Sequence, residues 1–211
     1  MNEFISSPLG LIIVIATVLF CITLHEAMHA FTAHWLGDDT AQMQGRLTLN
    51  PIKHIDPFLT IAMPVLLALV GAPPLGAAKP VPFNPYRVKY EEFGAALVAA
   101  AGPLTNFGLA LIGGIILRLF GAALPELVLL SILTFVVVNL SFFVFNMIPF
   151  PPLDGSRVLY AFAPEPLQRV MGQIEAFGLA GFLLFFLLLF PTISPVVGSV
   201  VNSLLGLLTG L

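Results

Sequence analysis

The feature that most limits this chain is a set of apolar runs about as long as a bilayer is thick. A helix needs about 20 mostly apolar residues to cross the hydrocarbon core, and within lipid only helices and closed barrels satisfy every backbone polar group. Residues 9–36, 93–120 and 127–148 each meet that requirement, the last being broken off by Pro149, Pro151 and Pro152. Residues 173–190 and 193–211 read as a closely spaced pair separated by a turn at Pro191. Composition removes the soluble alternatives. Of 211 residues, 58% are hydrophobic and 9% charged, against roughly 25% charged in ordinary soluble domains, and a chain this apolar does not stay solvated as a disordered segment.

A net charge of −3 leaves no electrostatic footprint for nucleic acid. The single cysteine, Cys21, cannot form an internal disulfide. Glu3 and the absence of Lys or Arg ahead of the first apolar run differ from a secretion signal, so that run is expected to be retained. Orientation follows from the basic residues. Arg46, Lys53, Lys79, Arg87 and Lys89 lie between the first span and residue 93, which places that stretch in the cytoplasm. Residues 58–74, interrupted by Pro64 and closed by Pro73 and Pro74, then read as a dip that returns rather than a crossing.

His25-Glu26-Ala27-Met28-His29 is the sharpest chemical signal. Residues four apart on a helix share a face, so both imidazoles can reach one Zn²⁺, and Glu26 can take a proton from water beside it. Two histidines and a glutamate inside an apolar helix are costly unless paired or metal-bound. A proton relay or ion path in a transporter is the competing use of the same cluster. A third protein ligand is needed for a hydrolytic zinc site. His34 is turned about 140° from His29, and Trp35 stands where the extended soluble-protease motif needs histidine. Glu91 and Glu92 read as interfacial charges. Asp154 fits by depth: two crossings, 93–120 and 127–148, return the chain to the side on which His29 ends.

At these residues the chain resembles the site-2 proteases, zinc metalloproteases that cut within the membrane. The likeness rests on His25-Glu26-x-x-His29 in an apolar helix, on Ala101-Gly102-Pro103-x-x-Asn106, and on Asn146-x-x-Pro149-x-Pro151-x-Leu153-Asp154-Gly155. The runs from Met43 to Pro57 and from Ala78 to Pro85 resemble the compact prokaryotic members, which lack PDZ and CBS domains; Phe58-Leu59 departs from their pattern where a smaller residue is expected. The resemblance implies one Zn²⁺ per chain held by His25, His29 and Asp154, with Glu26 as general base. It implies that Asn146 contacts substrate or oxyanion and that Asn106 helps to position the substrate or shape the site. The partner it implies is a membrane-embedded protein substrate, cleaved in the plasma membrane of a prokaryote by a multi-pass enzyme whose active site faces the cytoplasm. A relative that binds clients without cutting them is the remaining alternative, and the intact Glu26 argues against it.

A helix hides its carbonyls in its own hydrogen bonds, so a substrate must be unwound and held extended. The alternating run 41–49, centred on Gly45, is the candidate strand edge, with Gln44, Gly45, Arg46 and Leu47 as substrate-binding residues. The expected fold is thus an all-α polytopic membrane protein of five to six transmembrane or re-entrant helices with a small membrane-associated β segment. It forms one domain over 1–211, with a core at about 9–163 and a C-terminal helix pair at about 173–211. His54 and Asp56 read as local caps, Arg157 and Arg169 as interfacial anchors, and Gly113, Gly114, Gly178 and Gly181 as points of close helix packing.

Overall fold

The computed structural model describes residues 2–62 and 79–210. Six helices carry the architecture: α1 (Pro8–Trp35), α2 (Glu91–Phe120), α3 (Glu126–Asn146), α4 (Asp154–Phe162), α5 (Glu165–Ala176) and α6 (Gly178–Thr209). Of these, α1, α2, α3 and α6 are long and apolar enough to cross a membrane. Local chemistry sets their ends. Ser7 caps α1 by accepting from the Gly10 N–H at 3.0 Å, with Pro8 in the first turn where its missing N–H costs nothing. α3 stops at Asn146, before a loop through Pro149, Pro151 and Pro152 that cannot continue a helix.

α2 is the hub, packing against α1, α3, α4 and α6. Its buried face is a run of small residues, including Gly94, Ala95, Ala99, Gly102, Ala110, Gly113 and Gly114. Small side chains let backbones approach where lipid supplies no hydrophobic push between helices. A Cβ on Gly113 would stand 2.7 Å from Val136 Cγ2 on α3, and one on Gly114 would stand 2.8 Å from Leu208 Cβ on α6. Those two glycines serve the close packing read from the sequence. Around them Ala110, Leu117, Val136, Leu140 and Val201 form the largest buried cluster.

Three expectations are corrected. The C-terminal pair of spans is instead the single helical stretch of α6, with a wider π-type turn at Phe185–Leu189 just ahead of Pro191. That turn restarts the helix, so Pro191 falls in the first turn of the following segment, where proline needs no intrahelical donor. Residues ahead of Gly178 belong to the separate amphipathic α5. Gly178 has φ +53° with no neighbour that a Cβ would meet, so it makes the α5–α6 turn rather than a packing contact. Finally, all regular structure among the described residues is helical, and 41–49 forms no strand: Thr40–Met43 is one helical turn, followed by Gly45 at φ +65°.

Asp38 explains that local choice. Its Oδ1 accepts from both the Thr40 N–H and the Thr40 hydroxyl, at 3.1 and 2.5 Å, which bends the chain into a turn. Its Oδ2 accepts from the Asn84 N–H at 2.5 Å, tying that turn to the segment before α2. Burial opposes the charge, but Thr40, Asn84 and nearby Arg87 hold the carboxyl below the usual carboxylate range. Beside it the Lys89 N–H donates to Leu36 O at 2.8 Å, so α1 ends and α2 begins at the same end of the bundle. The expected dip at 58–74 falls mostly outside the described residues; Pro57–Ala62, its first part, is helical.

Candidate metal centre

His25 and His29 sit one turn apart on α1 with their rings edge to face, centroids 4.7 Å apart. Asp154, the first residue of α4, comes to the same point: its Oδ2 lies 3.1 Å from His25 Nε2 and 3.5 Å from His29 Nε2. All three ligand atoms lie within 4.8 Å of one another. Donors about 2.0–2.1 Å from a tetrahedral zinc stand roughly 3.3 Å apart, which the two measured separations bracket. Two neutral nitrogens and one carboxylate oxygen also form a donor set that zinc accepts.

Space for the ion comes from α2. A Cβ at Gly102 would lie 2.4 Å from His29 Nε2 and 2.7 Å from His25 Nε2, so the missing side chain leaves a cradle in front of both nitrogens. The far nitrogens are held from behind. His29 Nδ1 donates to the Val98 carbonyl at 2.7 Å, and His25 Nδ1 pairs with Asn106 Oδ1 at 2.6 Å. Such partners fix ring orientation in metal sites. Donor set, spacing and cradle therefore fit a zinc ion.

A cavity of about 560 Å³ opens onto the cluster. Its lining includes His25, Glu26, His29 and Asp154, the segment through Pro80, Val81 and Phe83, Asn146 at the end of α3, and Leu179 and Phe182 from α6. Glu26 is partly buried, and its Oε2 accepts from the Val81 N–H at 3.1 Å. Asn146 spends one amide hydrogen on Phe142 O at 3.0 Å, within its own helix.

The other residues singled out in the sequence stand behind the cavity or apart from it, Arg157 excepted. Asn106 is fully buried behind His25, does not line the cavity, and touches the site through the His25 ring. Gln44, Gly45, Arg46 and Leu47 are also absent from the cavity wall. Arg46 is itself buried and donates to Lys79 O at 2.5 Å, fastening the segment that leads to Val81 and Glu26. His54 donates to Thr48 O and Asp56 accepts from the Phe58 N–H, both local caps as read from the sequence. His34 pairs with Asp39 away from the cluster. Arg169 pairs with Glu165 on the surface, whereas Arg157, expected as an anchor, pairs with Glu175 and lines the cavity.

A Bacillus subtilis (strain 168) protein with the name "Putative zinc metalloprotease YwhC" is 39% identical over 194 residues, spanning 87% of this chain and 84% of that protein. This chain belongs to that zinc metalloprotease family. Two further relatives, both with the name "Putative zinc metalloprotease Rip2", agree. The Mycobacterium tuberculosis (strain ATCC 25618 / H37Rv) protein is 30% identical over 173 residues, or 82% of this chain and 65% of the relative. The Mycolicibacterium smegmatis protein is 31% identical over 169 residues, or 79% and 63%. No family model matches the chain, and no solved structure does. For a zinc metalloprotease, His25, His29 and Asp154 are the described residues that could hold the metal.

Reading the sequence alone left three contributors to this metalloprotease site unassigned. Gly102 stood within the motif but its role appears only when both imidazoles converge on it. The Val98 carbonyl, a backbone group, leaves no mark in a sequence. Asn139 had a signal, an amide inside an apolar span; in the fold it is buried and accepts from the Asn106 amide, which stands behind His25, at 3.0 Å.

Proposed function

We propose that this chain is an intramembrane zinc endopeptidase of the site-2 protease type, cutting membrane-embedded segments of protein substrates. The observation that carries the reading is the convergence of His25, His29 and Asp154 on one point, with Glu26 beside them in the same cavity, among helices apolar enough to span. Zinc bound at such a site lowers the pKa of water toward about 7 and polarises a scissile carbonyl.

The chain's own residues do the rest. The Val81 N–H holds one oxygen of Glu26, leaving the other to accept the proton of the attacking water and pass it to the leaving amine. Asn146, on the cavity wall, keeps an amide hydrogen and its oxygen for the substrate backbone. The non-helical segment 80–83, which reaches the cavity through Pro80, Val81 and Phe83, offers an unwound substrate chiefly carbonyl oxygens, since Pro80 and Pro82 have no N–H and the Val81 N–H is given to Glu26, while 44–47 act at one remove through the hold of Arg46 on Lys79. The basic residues between α1 and α2 support an orientation with the site toward the cytoplasm.

The test pairs zinc content with cleavage of a membrane-embedded substrate in purified protein. Glu26→Gln is expected to keep one zinc per chain and to lose about 10²–10⁴-fold in cleavage rate. Equal cleavage by wild type and Glu26→Gln would remove the catalytic assignment.

A further inference from the structure

We infer that Asn106 and Asn139 form a one-way amide relay that sets the His25 tautomer from a main-chain carbonyl of α3, which makes both asparagines positioning residues for the metal ligand. The inference rests on the zinc reading above. Both side chains are fully buried, and a buried amide left unpaired is costly.

The polarity of the relay is forced link by link. Phe135 O is a carbonyl and can only accept, so Asn139, 2.8 Å away, must present its NH₂ group there. That turns Asn139 Oδ1 the other way, toward Asn106, whose Nδ2 donates to it at 3.0 Å. The Cys21 carbonyl, 3.4 Å from the same Nδ2, demands the same orientation. Asn106 therefore faces His25 with its oxygen, and at 2.6 Å His25 Nδ1 must carry the hydrogen. A neutral imidazole has one N–H and one lone pair. The lone pair is left on Nε2, the nitrogen facing Asp154.

His29 reaches the same state in one step, from the Val98 carbonyl. His25 reaches it through two side chains on two other helices, so its readiness to bind metal depends on α3. Flipping either amide would set donor against donor or require a hydrogen on Nε2, which then could not ligate.

The experiment measures zinc affinity by chelator competition in the detergent-purified full chain, with thermal unfolding of the metal-free forms alongside. Asn106→Ala is expected to weaken zinc binding about 10–100-fold. Asn139→Ala is expected to weaken zinc several-fold alone and to add nothing in the Asn106→Ala background, because it acts through Asn106. Merely structural asparagines would instead give additive losses, and that result overturns the relay. If Asn106→Ala does not fold, Asn139→Ala decides: unchanged zinc affinity overturns the relay, and weaker affinity at an unchanged metal-free unfolding temperature supports it. Wild-type protein that takes up no zinc sinks the metal reading and the relay together, whereas zinc held equally by wild type and Asn106→Ala sinks the relay alone.

Discussion

Gly102→Ala adds a single carbon at the point where the two imidazoles converge. Within an ordinary helix interior the exchange stabilises by about 0.5–1 kcal/mol, because glycine loses more backbone freedom on folding. Here the new carbon would stand 2.4 Å from His29 Nε2, 2.6 Å from His29 Cε1 and 2.7 Å from His25 Nε2. An unstrained contact needs roughly 3.5 Å, so the rings must retreat by about 1 Å. Metal sites tolerate ligand displacements of about 0.2 Å. The expected result is zinc binding at least about 100-fold weaker, equivalent to about 2.7 kcal/mol, with a metal-free unfolding temperature shifted by no more than a few degrees. Elemental analysis after desalting and chelator competition measure the first quantity, and thermal unfolding in detergent measures the second. An alanine variant that keeps one zinc per chain at wild-type affinity would refute the placement of the ion in front of Gly102.

Other outcomes follow from the same coordinates. His25→Ala and Asp154→Ala are each expected to abolish stoichiometric zinc, read by elemental analysis, while His34→Ala, whose ring pairs with Asp39 instead, is expected to retain it. Gly113→Leu drives a side chain into Val136, 2.7 Å from where its Cβ would sit, and is expected to cost at least about 1–3 kcal/mol by overpacking, seen as a lower unfolding temperature. The Asp38 carboxyl is depressed in the fold relative to the unfolded chain. Its contribution is therefore present above about pH 4 and fades as pH falls through the lower folded value. Asp38→Asn is expected to lower stability at pH 7 by roughly 1.5–3 kcal/mol and to flatten that acid limb, as pH-dependent unfolding would report.

Much of the site was legible because its spacing is helical. Glu26 and the pair His25 and His29 follow from a four-residue period, and Asp154 follows from counting crossings between two ends of one bundle. The support behind the ligands was not. Asn106 lies 81 residues from His25, and nothing local distinguishes an amide that touches substrate from one that orders an imidazole. The run 41–49 alternates like a strand, yet Asp38 bends the chain ahead of it, and hydrogen bonding to a neighbour 46 residues away is invisible in a pattern. Pro191 reads as a break because proline rejects a continuing helix; the wider turn at Phe185–Leu189 that accommodates it has no sequence marker.

The third ligand stands 129 positions after the first, on the far side of two long helices. As the chain is synthesised, its opening helix emerges with both imidazoles and Glu26 but cannot complete the ion's coordination. The candidate metal group is complete only once α2 and α3 have packed and the proline-rich bend has brought Asp154 to the two imidazoles. Under the proposed reading, a chain halted after its first span carries two of the three ligands and no complete metal site.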